Sequence, residues 1–454
     1  MKKLWVVCIS LCILLVLAAC SGNKEAGGDS GNENAPDENA TATVGDDLEN
    51  ATELTFWTFN ELHMQIYEDA TERWNEEFPD RPIKLVAETY PYDQMHNNLL
   101  MAFQSGSGAP DLVDIEVGRF SSFLQGEIQL EPMNEYTEPL KDVIIDTRFD
   151  LYGKDGKHYA IPTHLGATVV YYNQEIMDEA GVDIDAIETW ADYVEAGKTV
   201  LEVTGKPMTT VETDEHWSFW PLVSQSGSSF FDENDELTLD NEKNIEALQF
   251  LRDMVHEHKI AVPTPGGFHH SEEYYGFMND GGAASLTMPL WYMGRFIDYM
   301  PDLKGKMVMK PMPLWPGSDA RTTGMGGTGT SVTSQSENVE LAKEFLAYAK
   351  LSEEGSIQLW KLLGFDPVRT DVWESPELQE DNPYFDYFGD YIWDMLGEIK
   401  DQVNGVELTE FTTEVITELQ TNVMHSVIRE DSQTPEEALK QAADTIRAKM
   451  ESTK

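Results

Sequence analysis

Past residue 20 the sequence holds no cysteine. Its three cysteines are Cys8, Cys12 and Cys20, so the body of the chain has no disulfide, no thiolate zinc site and no cysteine nucleophile. Basic residues are scarce as well: 31 Lys+Arg stand against 82 Asp+Glu, a formal charge of −51. A field of that sign repels nucleic acid and other polyanions, although salt screens it beyond about 10 Å. Nucleic acid is therefore excluded as a partner and phosphate-rich ligands are disfavoured. The acidity otherwise reads as a surface adapted to a saline or alkaline exterior. The familiar catalytic signatures are missing too, since there is no GxSxG elbow, HExxH, Walker loop or dinucleotide fingerprint. "GMGGTGT" (324–330) is rich in glycine but lacks the Lys-Ser/Thr of a phosphate loop, and reads as a close backbone approach at a crossover.

What is present begins at the N-terminus. "MKK" is a basic leader, and "LWVVCISLCILLVL" is an apolar run of fourteen residues, short for a membrane span and typical of an export signal. It ends in "LAAC", Leu17 to Cys20, the pattern of a bacterial lipobox. Residues 1–19 read as a signal peptide, and Cys20 as the thiol that carries the lipid after cleavage. An uncleaved signal anchor is the alternative, and it leaves the position of Cys20 unexplained. The stretch from Ser21 to Asn50 has no aromatic and hardly any apolar bulk, so residues 20–52 read as a flexible acidic tether with a reach of roughly 30 Å. The expected location is the extracellular face of the cytoplasmic membrane.

From Glu53 the pattern is globular, in keeping with 41% hydrophobic and 10% aromatic residues over the whole chain. "LTFWTF" reads as a strand. Leu62, Ile66, Ala70, Trp74 and Phe78 recur every four residues, the spacing of one helix face. "IKLVAETY" is a second strand, "DQMHNNLLMAFQSG" a helix stopped by Gly106, and "DLVDIEV" a third strand. Such alternation predicts right-handed crossovers and a mostly parallel sheet, whose ligands sit beyond the carboxyl ends of the strands. A second alternating region follows, with a strand in "ATVVYYN", a helix between Thr189 and Gly205, an amphipathic helix in "NIEALQFLRDMVHEHK" and the small-residue strand "GGAASLTM". Helical patterns dominate after Val339.

Aromatics beside polar groups accumulate at predicted strand ends: Trp57 and Phe59, Tyr90 and Tyr92, Trp217 and Trp220, Trp291 with Tyr292. A ring covers the C–H face of a sugar while Asp, Glu, Asn, His and Arg bond its hydroxyls. Trp291 carries this reading best, because it follows Pro289, where a strand must end. Taken singly, each of the other rings except Trp57 reads as core before ligand shelf, because aromatics dominate cores. "FHHSEEYYGF" (268–277), with "HEHK" upstream, admits a metal site, but Ser271 followed by two glutamates reads as a helix N-cap. A glycosidase needs two carboxylates at a set distance, which leave no mark among 82 acids. Two alternatives to sugar binding therefore stand, a secreted carbohydrate-active enzyme and a metal-binding lipoprotein.

Several blocks occur in the order of a known family. "LTFWTFNELH", "GSGAPDLVDIEV", "GKHYAIPTHLGATVVYYNQEIMDEAGVD", the "GGAAS…W" segment, "NVELAKEFLAYAKLSEEG" and "LLGFDPVRTDVW" resemble the extracellular sugar-binding lipoproteins of bacterial ABC importers. Within that family, "YPYDQMHNNL", "HHSEEYYGFMNDGGAAS" and "WYMGRFIDYMPDLKGK" resemble members that bind arabino-oligosaccharides. The resemblance implies an α/β protein of two lobes, the type II periplasmic-binding-protein-like fold. Each lobe is expected to be a mostly parallel sheet flanked by helices, with three hinge crossovers near Pro162, Gly327 and Pro367. Residues 53–162 plus 328–367 are then lobe 1, and 163–327 plus 368–454 lobe 2. It further implies a monomer that closes on a neutral oligosaccharide and hands it to membrane permeases, with no catalysis, cofactor or metal. The expected sugar-binding residues are Trp57, Phe59, His63, Glu116, Arg119, His164, Trp217, Trp291, Tyr292 and Arg369. The chain departs from the common pattern at Thr163-His164 and at Phe365-Asp366-Pro367-Val368-Arg369, both near the expected pocket.

Overall fold

The computed structural model describes residues 40–403 and 405–453. The first sheet has the strand order Thr41–Val44, Ile83–Thr89, Thr52–Thr58, Leu112–Glu116, Thr328–Val332, Ile161–Pro162. Thr52–Thr58 runs parallel to both Ile83–Thr89 and Leu112–Glu116, joined by the helices Met64–Glu77 and Tyr92–Ser105. Gly106 ends the second of these helices at φ 72°, as its position predicts. The other three strands pair antiparallel.

In the second lobe Thr168–Asn173 lies between Ser285–Pro289 and Met307–Pro311, and pairs antiparallel with both. Beside them Thr209–Val211 and Ala261–Pro263 form a parallel pair. The expectation of a mostly parallel sheet in each lobe is therefore corrected. The cause is the crossovers themselves. Thr168 opposes Pro289, so the strand arriving from the first lobe begins where its neighbour finishes. Thr328 likewise opposes Glu116, so the strand returning to the first lobe runs against the one beside it.

A second correction concerns the tether expected over residues 20–52. Thr41–Val44 is an edge strand on Leu85–Glu88, and Ala42 packs on the first core, so the folded body already includes "TATV". Its threonines and valine suit a pleated edge. Cys20 and the signal peptide lie outside the described residues.

Leu54, Phe56, Tyr67, Trp74, Leu85 and Phe345 share one apolar cluster, while Tyr171, Trp190, Phe296 and Trp393 belong to another. The helix Glu353–Leu363 serves both, with Leu359 and Leu363 in the first and Ile357 and Trp360 in the second. Three passages connect the halves, at 163–167, 312–327 and 364–371. They are bonded to one another. Asp366 accepts the Leu165 amide on its carbonyl at 2.8 Å, and the Gly166 and Ala167 amides on its carboxylate at 3.2 and 2.9 Å. Arg148 donates to the Gly326 carbonyl at 2.7 Å, and the Thr163 amide donates to Thr328 at 2.9 Å. Burial pushes the Asp366 carboxyl up to about 6 against the pull of those amides.

Candidate functional site

The carboxyl ends of the first-lobe strands carry one wall. Phe59 meets the rings of Tyr92 and His96 at 5.2 and 5.3 Å. His96 donates from Nδ1 to the Tyr92 carbonyl at 2.8 Å and accepts the Glu116 amide on Nε2 at 3.2 Å, which fixes its tautomer. The Glu116 carboxylate caps the next turn by accepting the Gly118 amide at 2.8 Å, and the Tyr92 hydroxyl at 3.0 Å. Burial lifts this carboxyl to about 7, opposed by those two donors and by Arg119. Arg119 lies over Tyr92 and pairs with Asp93 at 2.8 Å. Trp57 stands further out, its indole donating to Glu88 at 2.9 Å and its ring edge-on to Tyr90.

The second wall comes from two loops and the tip of a strand. Ser285–Pro289 ends at its proline, and the 3-10 turn Leu290–Tyr292 presents Trp291. Its indole donates to the Met325 carbonyl at 3.1 Å, and His270 stacks on it at 5.6 Å and 21°. Trp217 rests against His216 at 4.2 Å. Both tryptophans reach the hinge backbone. A Cβ built on Gly326 (φ +65°) would lie 3.5 Å from the Trp291 ring and 3.7 Å from the Trp217 ring. On Gly327 (φ +137°) a Cβ would fall 2.5 Å from the Arg148 guanidinium. The glycines of "GMGGTGT" thus thread backbone between an arginine and two indoles, as expected of a close approach.

Glu215 joins this wall, bonded to Gln420 and facing His216 at 3.5 Å. Burial raises its carboxyl, but His216 and Gln420 outweigh that and hold it below the ordinary range. Its charge reaches Glu116 and adds to the lift of that carboxyl. Beyond them the lobes touch: Ser121 donates to the Thr409 carbonyl, Thr413 donates to the Gly118 carbonyl at 3.2 Å, and Ile416 lies 2.6 Å from where a Gly118 Cβ would stand.

The expected residues divide accordingly. Phe59, Glu116 and Arg119 gather around Tyr92 at the strand ends of the first lobe, Trp57 lies further out on Glu88 and Tyr90, and Trp217 and Trp291 meet at Gly326. His164 sits beneath them, buried between Trp291 at 6.4 Å and Phe365 at 5.0 Å. Burial drives its imidazole well below its ordinary pKa, and its Nδ1 has no partner among the described residues. Three expectations are corrected. Tyr292 is fully buried, its hydroxyl donating to the His269 carbonyl, because the 3-10 turn after Pro289 rotates each side chain a third of a revolution from the last. Arg369 is committed to Asp371, Glu353 and the Leu351 carbonyl. His63 is buried with Nδ1 2.8 Å from Asp114, a carboxyl that burial raises and that His63, Lys350 and Thr330 together pull below its usual range. Trp220 is core.

Sequence reasoning missed His96, Glu215, His270 and Gln420 as wall residues. Glu215 had a signal, standing two residues before Trp217. His270 belonged to the motif weighed for metal, yet no cluster of three or more His, Cys, Asp or Glu suited to a metal occurs among the described residues. Ser271 does cap its helix, accepting the Tyr274 amide at 3.2 Å. Gln420 left no trace, since it lies in a π-helical turn, Leu419–Val423, far along the chain.

Two α/β lobes joined by three tied crossings define the type II two-lobed class of solute-binding fold. The chain belongs to the bacterial extracellular solute-binding protein family, whose pattern matches residues 61–355. It is 59% identical over 411 residues to an arabinooligosaccharide-binding protein of Halalkalibacterium halodurans, covering 90% of this chain and 92% of that one. To an arabinooligosaccharide-binding protein of Bacillus subtilis it is 48% identical over 454 residues, 99% and 100% of the two chains. Among solved structures, the GacH receptor of Streptomyces glaucescens, crystallised without ligand and with acarbose, superposes with a TM-score of 0.72 at 21% identity. That match covers 87% of this chain and 97% of the receptor, and shows a shared fold.

Proposed function

We propose that this protein captures neutral arabino-oligosaccharides outside the cytoplasmic membrane and delivers them unaltered to the permeases of an ABC importer, held to the membrane by a lipid on Cys20. The observation that carries the reading is the meeting of Trp217 and Trp291 at Gly326, opposite Phe59, Tyr92 and Glu116. Rings on one side take the apolar faces of the sugar, and carboxylate, imidazole and amide groups take its hydroxyls. The two relatives named for arabino-oligosaccharide binding support the choice of sugar, because they match nearly the whole chain. Closure of the lobes on the sugar accounts for capture without chemistry.

A thermal-shift and calorimetric screen of arabino-, xylo- and malto-oligosaccharides tests this. A ligand at a hundred times its Kd adds about 2.7 kcal/mol of stability, and only the arabino series is expected to do so. Incubation with labelled arabino-oligosaccharide should return it uncut. Shorter products would replace this reading with that of an enzyme.

A further inference from the structure

We propose that Glu212 is a positioning residue for the sugar wall: its buried carboxylate clasps the loop that carries Trp217 to the loop that carries His270. This rests on the reading of the cleft as a sugar site. Glu212 has no exposed surface and lies behind the wall rather than in it. One carboxylate oxygen accepts the His269 amide at 2.9 Å, and the other accepts the Ser218 amide at 3.1 Å. The Ser218 hydroxyl in turn accepts the Glu212 amide at 3.1 Å. Each clasped residue is the immediate neighbour of a wall residue, Ser218 of Trp217 and His269 of His270.

The roots of the two loops are joined by backbone, the Thr213 and Asp214 amides donating to the Gly267 carbonyl. At the tips the Glu212 carboxylate makes the bond between the loops, and the His269 imidazole is held besides by the Thr210 and Thr264 hydroxyls at 2.9 and 3.2 Å. A cavity of about 30 Å³, lined in part by Thr210, Ser218 and His269, lies alongside. The groups that face Glu212 are His269, with Nδ1 at 3.3 Å, and the charge or hydroxyl of Glu215, Tyr274 and Tyr292. Burial lifts Glu212 to about 8 and drives His269 well below its ordinary value, in each case against the charged form. When Glu212 is protonated its proton has one acceptor at hand, the otherwise unpartnered His269 Nδ1. An acid that bonds two amides and an imidazole at once fixes both loop tips, and through them the angle between Trp217 and the His270–Trp291 stack.

The test is fluorine NMR of purified protein labelled with 5-fluorotryptophan, the Trp217, Trp291 and Trp74 signals being assigned by single Trp→Phe changes. In Glu212→Ala the Trp217 signal should move or broaden while that of Trp74, deep in the first core, stays fixed. Glu212→Gln keeps an acceptor for one amide only and turns its NH₂ on the other, so it should move the Trp217 signal as well, by less than Glu212→Ala does. Affinity for arabinotriose should fall at least about tenfold in Glu212→Ala and by less in Glu212→Gln. An unmoved Trp217 signal in Glu212→Ala overturns the proposal, and so does a change shared equally by Trp217 and Trp74. Should Glu212→Ala fail to fold, Glu212→Asp, one methylene shorter, is read by the same criteria. If the wild type binds no arabino-oligosaccharide, the functional reading fails and the fluorine spectra still decide the clasp.

Discussion

Trp291 donates its indole hydrogen to the carbonyl of Met325, 3.1 Å away in the hinge passage. The ring touches both apolar clusters, so it serves as wall and as joint at once. Trp291→Ala should weaken arabino-oligosaccharide binding by about 2–4 kcal/mol, the scale of a central aromatic contact. Its cost in stability should stay below the roughly 3–5 kcal/mol of a fully enclosed tryptophan, because the ring is only half-buried. Trp291→Phe keeps a stacking face without the donor, and should recover most of the affinity. Calorimetry and chemical denaturation on the same samples check both. Normal binding by a badly destabilised Trp291→Ala would make the residue core.

Glu116 gives the cleft a pH dependence of known sign. Its folded pKa is about 7 against an ordinary 4.5, so the favourable contribution of the neutral acid is complete below about 4.5 and is lost as pH rises through 7. Glu116→Gln cannot ionise and escapes that loss. Its melting temperature relative to wild type should therefore rise between about pH 5 and pH 8.5. A difference that is flat across that range, measured by calorimetry at matched ionic strength, would contradict the assignment.

Carboxylates on both walls make the site selective by charge. Glu215 adds its charge to Glu116, and the arginine that reaches Glu116, Arg119, is shared with Asp93. Oligogalacturonates should therefore bind at least about a hundredfold more weakly than neutral arabino-oligosaccharides of equal length, since an acidic sugar enters against like charge. Affinity for the neutral sugar should change little on adding about 0.5 M NaCl, there being no ligand charge to screen. Competition calorimetry with the two sugar classes separates these outcomes.

Cys20→Ala should release the protein into the medium or leave an unprocessed precursor, with sugar binding intact. Acyl chains supply membrane affinity at about 0.8 kcal/mol per buried CH₂. Fractionation of cells and medium measures it, and a processed variant that stayed on the membrane would refute the anchor.

Local signals in the sequence proved dependable where they were chemical. Thr189 caps its helix with a reciprocal bond to Asp192, and Gly205 ends it at φ 71°, both placed by residue type alone. Strand direction was not legible, because periodicity shows which residues alternate but not from which lobe a strand arrives. Tyr292 failed for a local reason, a 3-10 turn that separates it from Trp291 by a third of a revolution. His63 is taken by a distant partner, Asp114, 51 residues away, and nothing in that segment advertises the pairing. Arg369 is taken from both sides, by Asp371 two residues on and by Glu353 16 residues before it. Gln420 comes from a helix more than two hundred residues past Glu215, so only the folded chain brings the two together.

Asp366, itself in one of the three passages, holds a second by three of its amides, and Arg148 holds the third by a carbonyl. The consequence is mechanical. A single linker lets two bodies roll, tilt and twist freely, whereas three strands knotted side by side behave like the knuckles of a door on one pin. The halves then swing about one axis and rarely adopt any other mutual pose. A sugar landing on either wall meets the opposite wall already facing it, and little of its contact energy is consumed in restricting the halves. Loosening one knuckle, as Asp366→Ala would, adds wobble instead of removing a contact, and affinity should fall although no group near the sugar has changed.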